Sequence, residues 1–295
     1  MRVVVTGAAG FVGQALVGAL SDEHEVISLD QKLKGLPGIE GDLCDPAVLD
    51  RAFEKGCDAV VHLATVPGGA TEANPNQARR INVEGSMRLI DAAMESGHTP
   101  RFIFASSIAV FGQPLPPFVD DMTPVSPKLL YGGHKAMMEQ WIAMHTRRGG
   151  LSGLSLRLPG IVARPKSSSG LKSAFMSDVF HALQAGDEIE LPVSQTATMW
   201  LMSVNALVKN LRHALTMDVT GTITLPALRV SMQELVRAIA QFSSVSESLA
   251  IYSSDRLLEE GFGAQPPLAT PSADAMGFRH DASLEALVSS AFETL

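Results

Sequence analysis

The chain has 295 residues, enough for one large domain or two modest ones with a sizeable hydrophobic core. Its formal net charge of −8 gives no net basic field for nucleic acid or anionic lipid, so we predict a small-molecule partner instead. No apolar run approaches the ~18 residues of a membrane span, and the start MRVVVTGAAG fits a first strand better than a signal peptide. A cytoplasmic protein is therefore predicted.

The two cysteines, Cys44 and Cys57, have neither CxxC spacing nor a nearby histidine. This pattern is typical of reduced thiols with a structural role. No metal site is predicted.

Apolar, β-branched runs alternate with helical segments through the first half of the chain. In chain order they are RVVVTG, a helix over Phe11–Leu20, EVISLD, AVVHLAT, a helix over 79–95, RFIFASS, a helix over Leu130–Arg147 and LSLRLPGIV. Such alternation indicates βαβ units. The predicted fold class is α/β, a doubly wound Rossmann sheet whose strands are parallel.

The alternation loosens after about residue 160. A helix is predicted over 173–185, a late strand in TITLPAL and a last helix in DASLEALVSSAF, while Ser231 and Glu234 have the spacing of a capping box that opens a helix through Phe242. We predict an NAD-binding Rossmann domain over 1–160 and a smaller substrate-binding lobe over 161–295. A part of that lobe, about 199–218, is expected to return to the Rossmann domain.

The segment TGAAGFVG, between the first strand and the first helix, spaces Gly7, Gly10 and Gly13 three residues apart. A tight turn, a close approach of backbone to a diphosphate and close packing of helix on strand each exclude a Cβ. The first helical residues, Phe11 and Val12, would offer their N–H groups to the anion. We therefore predict a dinucleotide site here.

Asp30 ends the second strand, where a carboxylate can accept hydrogen bonds from both adenosine ribose hydroxyls and repel a 2′-phosphate. This favours NAD, although the nearby Lys32 and Lys34 leave NADP open. The other predicted cofactor residues are Asp42 and Leu43 by the adenine, Leu63, Ala64 and Thr65 along the cofactor, and Pro159 and Ile161 in RLPGIV.

The segment LLYGGHK places Tyr131 and Lys135 four residues apart, on one helix face. A neighbouring ammonium and an oxidised nicotinamide favour the phenolate, which can take a proton from a substrate hydroxyl as hydride leaves the same carbon. The two intervening glycines are expected to leave room for cofactor ribose or substrate. Ser106 or Ser107, at the end of RFIFASS, can hold the reacting oxygen.

These motifs together, TGxxGxxG, SSxxVFG and YxxxK, resemble those of the extended short-chain dehydrogenases/reductases, also described as NAD-dependent epimerases/dehydratases. The resemblance selects Ser107 over Ser106 as the catalytic serine. It implies that Lys135 and Tyr131 also contact the cofactor and that Asn82 supports a proton relay. It further implies a homodimer in which helices over 84–96 and Leu130–Arg147 form a four-helix interface.

Three longer segments are similar to the D-erythronate dehydrogenase group of this family: SSIAVFGQPLPPFVDDMTPVSPKLLYGGHKA, RRGGLSGLSLRLPGIVARP and MGFRHDASLEALV. This similarity implies oxidation of a secondary hydroxyl in a small polyhydroxy acid. Two features depart from the group. Thr198, in TATMWLM, stands where an arginine is expected, and Pro67, Gly68 and Gly69 change a loop near the expected substrate.

The substrate carboxylate needs a cation, and VARPKSSSGLKS supplies Arg164, Lys166 and Lys172. Arg164 is the first choice because a guanidinium offers two parallel donors to a carboxylate; a solvated basic loop is the alternative. Ser167–Ser169 could bind substrate hydroxyls or form a linker. Trp200 is predicted either to cover the substrate or to lie in the core. His62 and His134 are not assigned a catalytic role.

Two other functions stay open. A nucleotide-sugar epimerase or dehydratase shares the fold and the three catalytic side chains, but Gly160 occupies the place where such enzymes usually carry an asparagine. A sensor that binds the cofactor without chemistry would typically lack the tyrosine and lysine pair.

Overall fold

The computed structural model describes residues 1–97, 99–166 and 173–295. The strands are β1 (Arg2–Thr6), β2 (Glu25–Asp30), β3 (Ile39–Glu40), β4 (Ala59–His62), β5 (Arg101–Ser107), β6 (Ser152–Leu158), β7 (Gly160–Val162), β8 (Ile189–Leu191), β9 (Thr198–Ser203), β10 (Gly221–Thr224), β11 (Leu228–Ser231) and β12 (Ala250–Tyr252). The helices are α1 (Phe11–Leu20), α2 (Pro46–Phe53), α3 (Gly68–Ala73), α4 (Pro75–Arg79), α5 (Ser86–Glu95), α6 (Leu130–Arg147), α7 (Phe175–Ala185), α8 (Val204–Thr216), α9 (Met232–Ser243), α10 (Arg256–Phe262), α11 (Pro271–Ala275) and α12 (Leu284–Phe292), with a π-helical turn over Arg80–Gly85.

The first of two compact units comprises Met1–Val110, Pro127–Leu158 and Val208–Thr224. Among the described residues its sheet has seven strands in the order β10-β6-β5-β4-β1-β2-β3, and all neighbours are parallel. Parallel strands covered by helices on both faces are buried throughout, which explains the unbroken Val3, Val4 and Val5 run of β1. The α/β prediction is confirmed.

The strand order reverses beside β1, whose neighbours are β2 and β4. Thr6 at the end of β1 pairs with His62 at the end of β4. At such a reversal, the helices that follow the two neighbouring strands pack on opposite faces of the sheet, and this opens a crevice at the carboxyl ends of the strands. The fold therefore places the Gly7 loop at the usual ligand position of a doubly wound sheet.

The core of the first unit packs helices α2, α5 and α6 against the sheet. It includes Val4, Val60, Leu89, Phe102, Phe104, Met138 and Ile142. Burying a side chain of this size contributes roughly 1.5–3 kcal/mol. Rigid packing of α6 on β5 and β6 fixes the helix that carries Tyr131.

The second unit comprises Phe111–Ser126, Pro159–Leu207 and Leu225–Leu295. In the described residues it contains a three-stranded sheet, β11-β9-β7, and a two-stranded sheet, β12-β8. Its core includes Phe180, Leu201, Leu235 and Leu287 from α7, β9, α9 and α12. The predicted capping box is present, since Ser231 Oγ accepts from Glu234 N at 3.2 Å while the Glu234 carboxylate accepts from Ser231 N at 2.7 Å.

The division differs from the expected domain ranges in two places. Phe111–Ser126 belongs to the second unit, and the segment that returns to the first unit is Val208–Thr224 rather than 199–218. The reason is strand pairing: Thr198–Ser203 forms the middle strand of the three-stranded sheet, whereas Gly221–Thr224 adds an edge strand beside β6. No helix in the described ranges is long and apolar enough to cross a membrane.

Candidate functional site

Gly7, in the loop after β1, and Gly13, in the first turn of α1, lie where a Cβ would meet backbone atoms. Gly7 has φ +69°, and a Cβ there would lie 2.8 Å from Ala64 N. A Cβ on Gly13 would lie 2.1 Å from the Gly7 carbonyl oxygen. Gly10 precedes α1 with extended backbone and no side chain to cap the helix, so the first turn presents the N–H groups of Phe11 and Val12 as an anion site does.

A pocket of about 340 Å³ opens beside this loop, entirely within the first unit. The predicted cofactor residues that line it are Gly7, Gly10, Asp30, Asp42, Leu43, Leu63, Ala64 and Thr65. Sequence reasoning missed Thr6, Leu29, Gln31, Gly41, Val66, Pro67, Gln77 and Ile81, which also line it. Most of these are direct neighbours of predicted residues, including Ile81 beside Asn82, and Pro67 was expected near the substrate rather than the cofactor, but Gln77 lies in a helix, Pro75–Arg79, that carries no recognisable motif.

Two carboxylates stand at the wall of this pocket. Asp30 Oδ2 accepts a hydrogen bond from Ala9 N at 3.0 Å, which holds the carboxylate against the glycine loop. Asp42 accepts from Cys44 N at 2.8 Å and from Arg80 Nη2 at 2.7 Å. Partial burial raises the pKa of Asp42, but the Cys44 N–H and the Arg80 guanidinium outweigh it and hold that pKa below the ordinary value.

His62 links the strand ends behind the pocket through buried hydrogen bonds. Ser86 Oγ donates to the Asn82 carbonyl, so it accepts from His62 Nε2 at 2.8 Å, and the proton of the neutral ring lies on Nε2. His62 Nδ1 then accepts from Thr6 Oγ1 at 2.6 Å, and Thr6 Oγ1 accepts in turn from Ala64 N. Burial, aided by the nearby Lys135 charge, lowers the pKa of His62 to about 3, so the ring is neutral.

Asn82 is buried in the π-helical turn and fastens the loop after β4. Its Oδ1 accepts from Val66 N at 2.7 Å and from Thr65 Oγ1 at 3.2 Å, while Nδ2 donates to the Val66 carbonyl at 3.0 Å. These bonds shape the pocket wall at Thr65 and Val66. Asn82 therefore lies directly behind predicted cofactor residues.

The two serines at the end of β5 have different surroundings. Ser106 is buried, and its Oγ donates to Glu139 Oε1 at 2.5 Å. Ser107 is partly exposed, and its Oγ accepts from Ala109 N at 3.2 Å, which leaves the hydroxyl proton for another acceptor. Of the two, Ser107 is the one placed to meet a ligand.

Tyr131 and Lys135 share one face of α6, with the Lys135 Nζ 5.6 Å from the centre of the Tyr131 ring. Lys135 is buried, lies 4.6 Å from the Phe104 ring centre and donates to the Ala105 carbonyl at 2.7 Å. Burial lowers the pKa of Lys135 to about 7, against the opposing charge of Glu139.

The glycines between Tyr131 and Lys135 are not equivalent. A Cβ on Gly132 would lie 2.3 Å from the Ala109 carbonyl oxygen, whereas nothing lies within 4 Å of a Cβ on Gly133. The expectation that both glycines leave room for a ligand was wrong for Gly132, because its space is taken by the turn after β5. Only the Gly133 side of this pair is open.

The remaining predicted residues belong to the second unit. Pro159 and Ile161 are buried, and Arg164 Nε donates to the Ile161 carbonyl at 3.3 Å. Trp200 is 1% exposed and its Nε1 donates to the Pro266 carbonyl at 2.8 Å, which corresponds to the core interpretation. Lys166 is exposed, while Lys172 and Ser167–Ser169 lie outside the described residues.

Thr198, where the resemblance leads one to expect an arginine, has an arginine beside it. Arg229 on β11 donates from Nη2 to Thr198 Oγ1 at 3.3 Å and from Nε to the Gln265 carbonyl at 2.8 Å. Sequence reasoning missed Arg229 because only the pairing of β11 with β9 brings it there.

The family model described as the NAD dependent epimerase/dehydratase family matches residues 3–224. The chain belongs to the NAD dependent epimerase/dehydratase family. The glycine cradle, the two carboxylates and the pocket beside them fit the dinucleotide that gives the family its name. The protein is an NAD-dependent enzyme, and its cofactor is NAD.

Several known proteins are similar to this chain to different extents. D-erythronate dehydrogenase of Cupriavidus necator is 31% identical over 98% of this chain and 97% of its own length. UDP-glucose 4-epimerase of Corynebacterium glutamicum is 32% identical over 53% of this chain and 50% of its own length. The crystal structure of a nucleoside-diphosphate-sugar epimerase from Agrobacterium tumefaciens is 28% identical, covers 99% of this chain and 94% of its own, and has a TM-score of 0.89.

Proposed function

We propose that the enzyme uses NAD to oxidise a secondary hydroxyl of a small sugar acid of the D-erythronate type. The observation that carries this proposal is the extent of the similarity. The D-erythronate dehydrogenase matches nearly the whole chain, including the second unit, whereas the UDP-glucose 4-epimerase matches about half of it. Substrate specificity in this fold depends on parts outside the dinucleotide site, so the full-length match favours a sugar acid.

Tyr131 is the proposed general base, with Ser107 and Lys135 as its partners. Ser107 Oγ donates a hydrogen bond to the substrate oxygen, and Tyr131 removes the hydroxyl proton as the carbon becomes a carbonyl. The positive charge of Lys135 on the same helix face favours the phenolate. When bound, NAD supplies the acceptor for the hydride that leaves this carbon.

The chain's own residues would hold the cofactor in the pocket of the first unit. The N–H groups of Phe11 and Val12 and the absence of a Cβ at Gly7, Gly10 and Gly13 suit a diphosphate. Asp30 would accept from the adenosine ribose and Lys135 would hold the nicotinamide ribose. Asn82 supports the proton relay through its bonds around Thr65 and Val66. The other proposed contacts are Asp42, Leu43, Leu63, Ala64, Thr65, Tyr131, Pro159 and Ile161.

Two arginines of the second unit, Arg164 and Arg229, are alternative candidates for the residue that binds the substrate carboxylate. Arg164 is supported by its bidentate chemistry and Arg229 by its hydrogen bond to Thr198. Losing a charged hydrogen bond to substrate costs about 1.5–3 kcal/mol, so we expect the KM for the acid to rise by roughly 10- to 100-fold in the variant that removes the anchor. Arg164→Met and Arg229→Met serve as controls for each other.

The epimerase alternative is favoured by one specific observation, the similarity of the whole backbone to a nucleoside-diphosphate-sugar epimerase. Against it stands Gly160 in place of the usual asparagine. A Cβ at Gly160 would lie 3.1 Å from both Leu201 Cδ2 and the Trp200 carbonyl, so a larger residue is not tolerated here without local movement.

The mechanism is tested by Tyr131→Phe with D-erythronate as substrate. Removing a general base lowers kcat about 100- to 10,000-fold, while the dissociation constant of NAD should change little. Thermal stabilisation by NAD checks that the variant is folded and binds the cofactor. Full activity in this variant would rule out Tyr131 as the base.

A further inference from the structure

Glu139 follows Lys135 by one helical turn and is 2% exposed. Its carboxylate accepts from Ser106 Oγ at 2.5 Å, from Arg157 Nε at 3.0 Å and from Arg157 Nη2 at 2.9 Å. A carboxylate that accepts two hydrogen bonds from one guanidinium and a third from a hydroxyl is held in one position. This clamp, formed by Glu139, Ser106 and Arg157, joins α6, β5 and β6 next to Ser107.

The ammonium form of Lys135 is buried, so a nearby negative charge would stabilise it. Its Nζ has a carbonyl partner, Ala105, and an aromatic one, Phe104, and neither carries a charge. Burial disfavours the ammonium form, and Glu139 is the charge that acts in the opposite sense. Residues four apart on a helix lie on the same side, so the Lys135 and Glu139 side chains leave α6 in the same direction.

We propose that Glu139 is a positioning residue of the active site, whose clamped carboxylate favours the protonated form of Lys135 and fixes the carboxyl end of β5 against α6. This inference rests on the proposed roles of Ser107, Tyr131 and Lys135, since it explains how Lys135 retains the charge that the mechanism requires. Arg157 and Ser106 act through Glu139 by holding its carboxylate.

Other charged groups near Lys135 do not replace Glu139. His62 on β4 is neutral, and Arg157 on β6 is itself a cation bound to Glu139. From α3 and α4, Glu72 and Arg79 act on His134, next to Lys135, in opposite senses. The negative charge on the Lys135 side of α6 therefore comes from Glu139.

The test is an NMR titration of the Lys135 side chain in protein labelled with carbon-13 at lysine Cε, with the Lys135 resonance assigned by its loss in Lys135→Met. We expect Glu139→Gln to move the Lys135 titration to lower pH by about one unit or more. Glu139→Gln with Arg157→Gln removes both charges, so no unpaired ion is left in the core if the single variant does not fold. Glu23→Gln, which breaks an exposed pair with Arg212, is the matched control for loss of one negative charge.

An unchanged Lys135 titration in the folded Glu139 variants would overturn the inference. A second readout is the pH profile of kcat/KM with the confirmed substrate, whose alkaline limb should move to lower pH together with the titration. A merely structural role would lower activity without moving this profile. If the titration moves but Lys135→Met keeps its activity, the proposed mechanism fails while the electrostatic role of Glu139 stands.

Discussion

His62 stabilises its surroundings only while its ring is neutral, because both ring nitrogens are used by Thr6 and Ser86. Its folded pKa of about 3 lies below the ordinary value of 6.5. Above pH 6.5 the folded and unfolded states both hold a neutral ring, and nothing is lost. As the pH falls below 6.5, His62 becomes protonated in the unfolded state but stays neutral in the folded state, so the free energy of unfolding decreases.

We therefore expect His62→Gln to flatten the acid dependence of stability. Between pH 7 and pH 5, wild type should lose about 2 kcal/mol more than the variant, since each pH unit below the unfolded pKa costs about 1.4 kcal/mol. Urea denaturation at a series of pH values measures this difference. The exposed His280→Gln is the control, and parallel curves for wild type and His62→Gln would contradict the account.

The residues that sequence reasoning found are those whose requirement is local. Gly7, Gly10 and Gly13 lie within one loop, and Tyr131 and Lys135 within one helix, so their spacing is visible in the chain. The bonds of His62 to Thr6 and of Arg229 to Thr198 join residues 56 and 31 positions apart. Such partners are brought together only by strand pairing, so the sequence alone did not predict them.

At the scale of elements, the position of Tyr131, the proposed base, depends on a close approach of α6 to the turn after β5. That approach depends on Gly132, whose missing Cβ leaves space for the Ala109 carbonyl. Helix bounds were predicted well here, since α6 covers the expected Leu130–Arg147. From the sequence, a ligand was expected beside Gly132, but the neighbour of this residue is the backbone of Ala109. The spacing of glycines in a helix shows that space is needed, and it does not show whether backbone or ligand fills that space.

Gly132→Ala and Gly133→Ala form a matched pair for this contact. The helix propensity gain of about 1 kcal/mol is the same for both. At Gly132 the new methyl group would strike backbone, so we expect net destabilisation of about 1–3 kcal/mol. Gly133→Ala should leave stability unchanged or raise it. Denaturant unfolding of both variants decides, and equal stabilities would show that α6 does not depend on the close approach.

At the scale of the whole molecule, we propose a homodimer formed through α5 and α6. Met137, Trp141 and His145 lie four residues apart on α6, and Met137 is 53% exposed. Trp141 Nε1 and His145 Nε2 are buried without a hydrogen-bond partner in the part of the chain that the structure describes. The exposed Met137, in line with the partly exposed Trp141 and His145, suits an interface with a second copy.

Met137→Asp should convert the dimer to a monomer, because it places a charge without a partner in the interface. Light scattering coupled to size-exclusion chromatography measures the mass. Met122→Asp, at a site that is 85% exposed in the second unit, is the control and should remain a dimer. A monomeric wild type, or a dimeric Met137→Asp variant, would contradict the proposed interface.

The cytoplasmic location stays a prediction.

The α/β fold and the glycine loop beside the pocket of the first unit were predictable because both follow from short-range patterns. The second unit was less so, since its three-stranded sheet pairs β7, β9 and β11 across loops that carry no motif. The two proposed carboxylate anchors, Arg164 and Arg229, lie in this unit, so the choice of substrate is proposed to depend on it.

The most direct measurement is NADH formation from NAD with four- to six-carbon sugar acids, with UDP- and dTDP-sugars and NADP in parallel. We predict NADH formation with D-erythronate or a close aldonate, little activity with NADP, and loss of activity in Tyr131→Phe. No NADH from any acid, together with thermal stabilisation by a nucleotide sugar, would contradict this prediction and assign the protein to the epimerases.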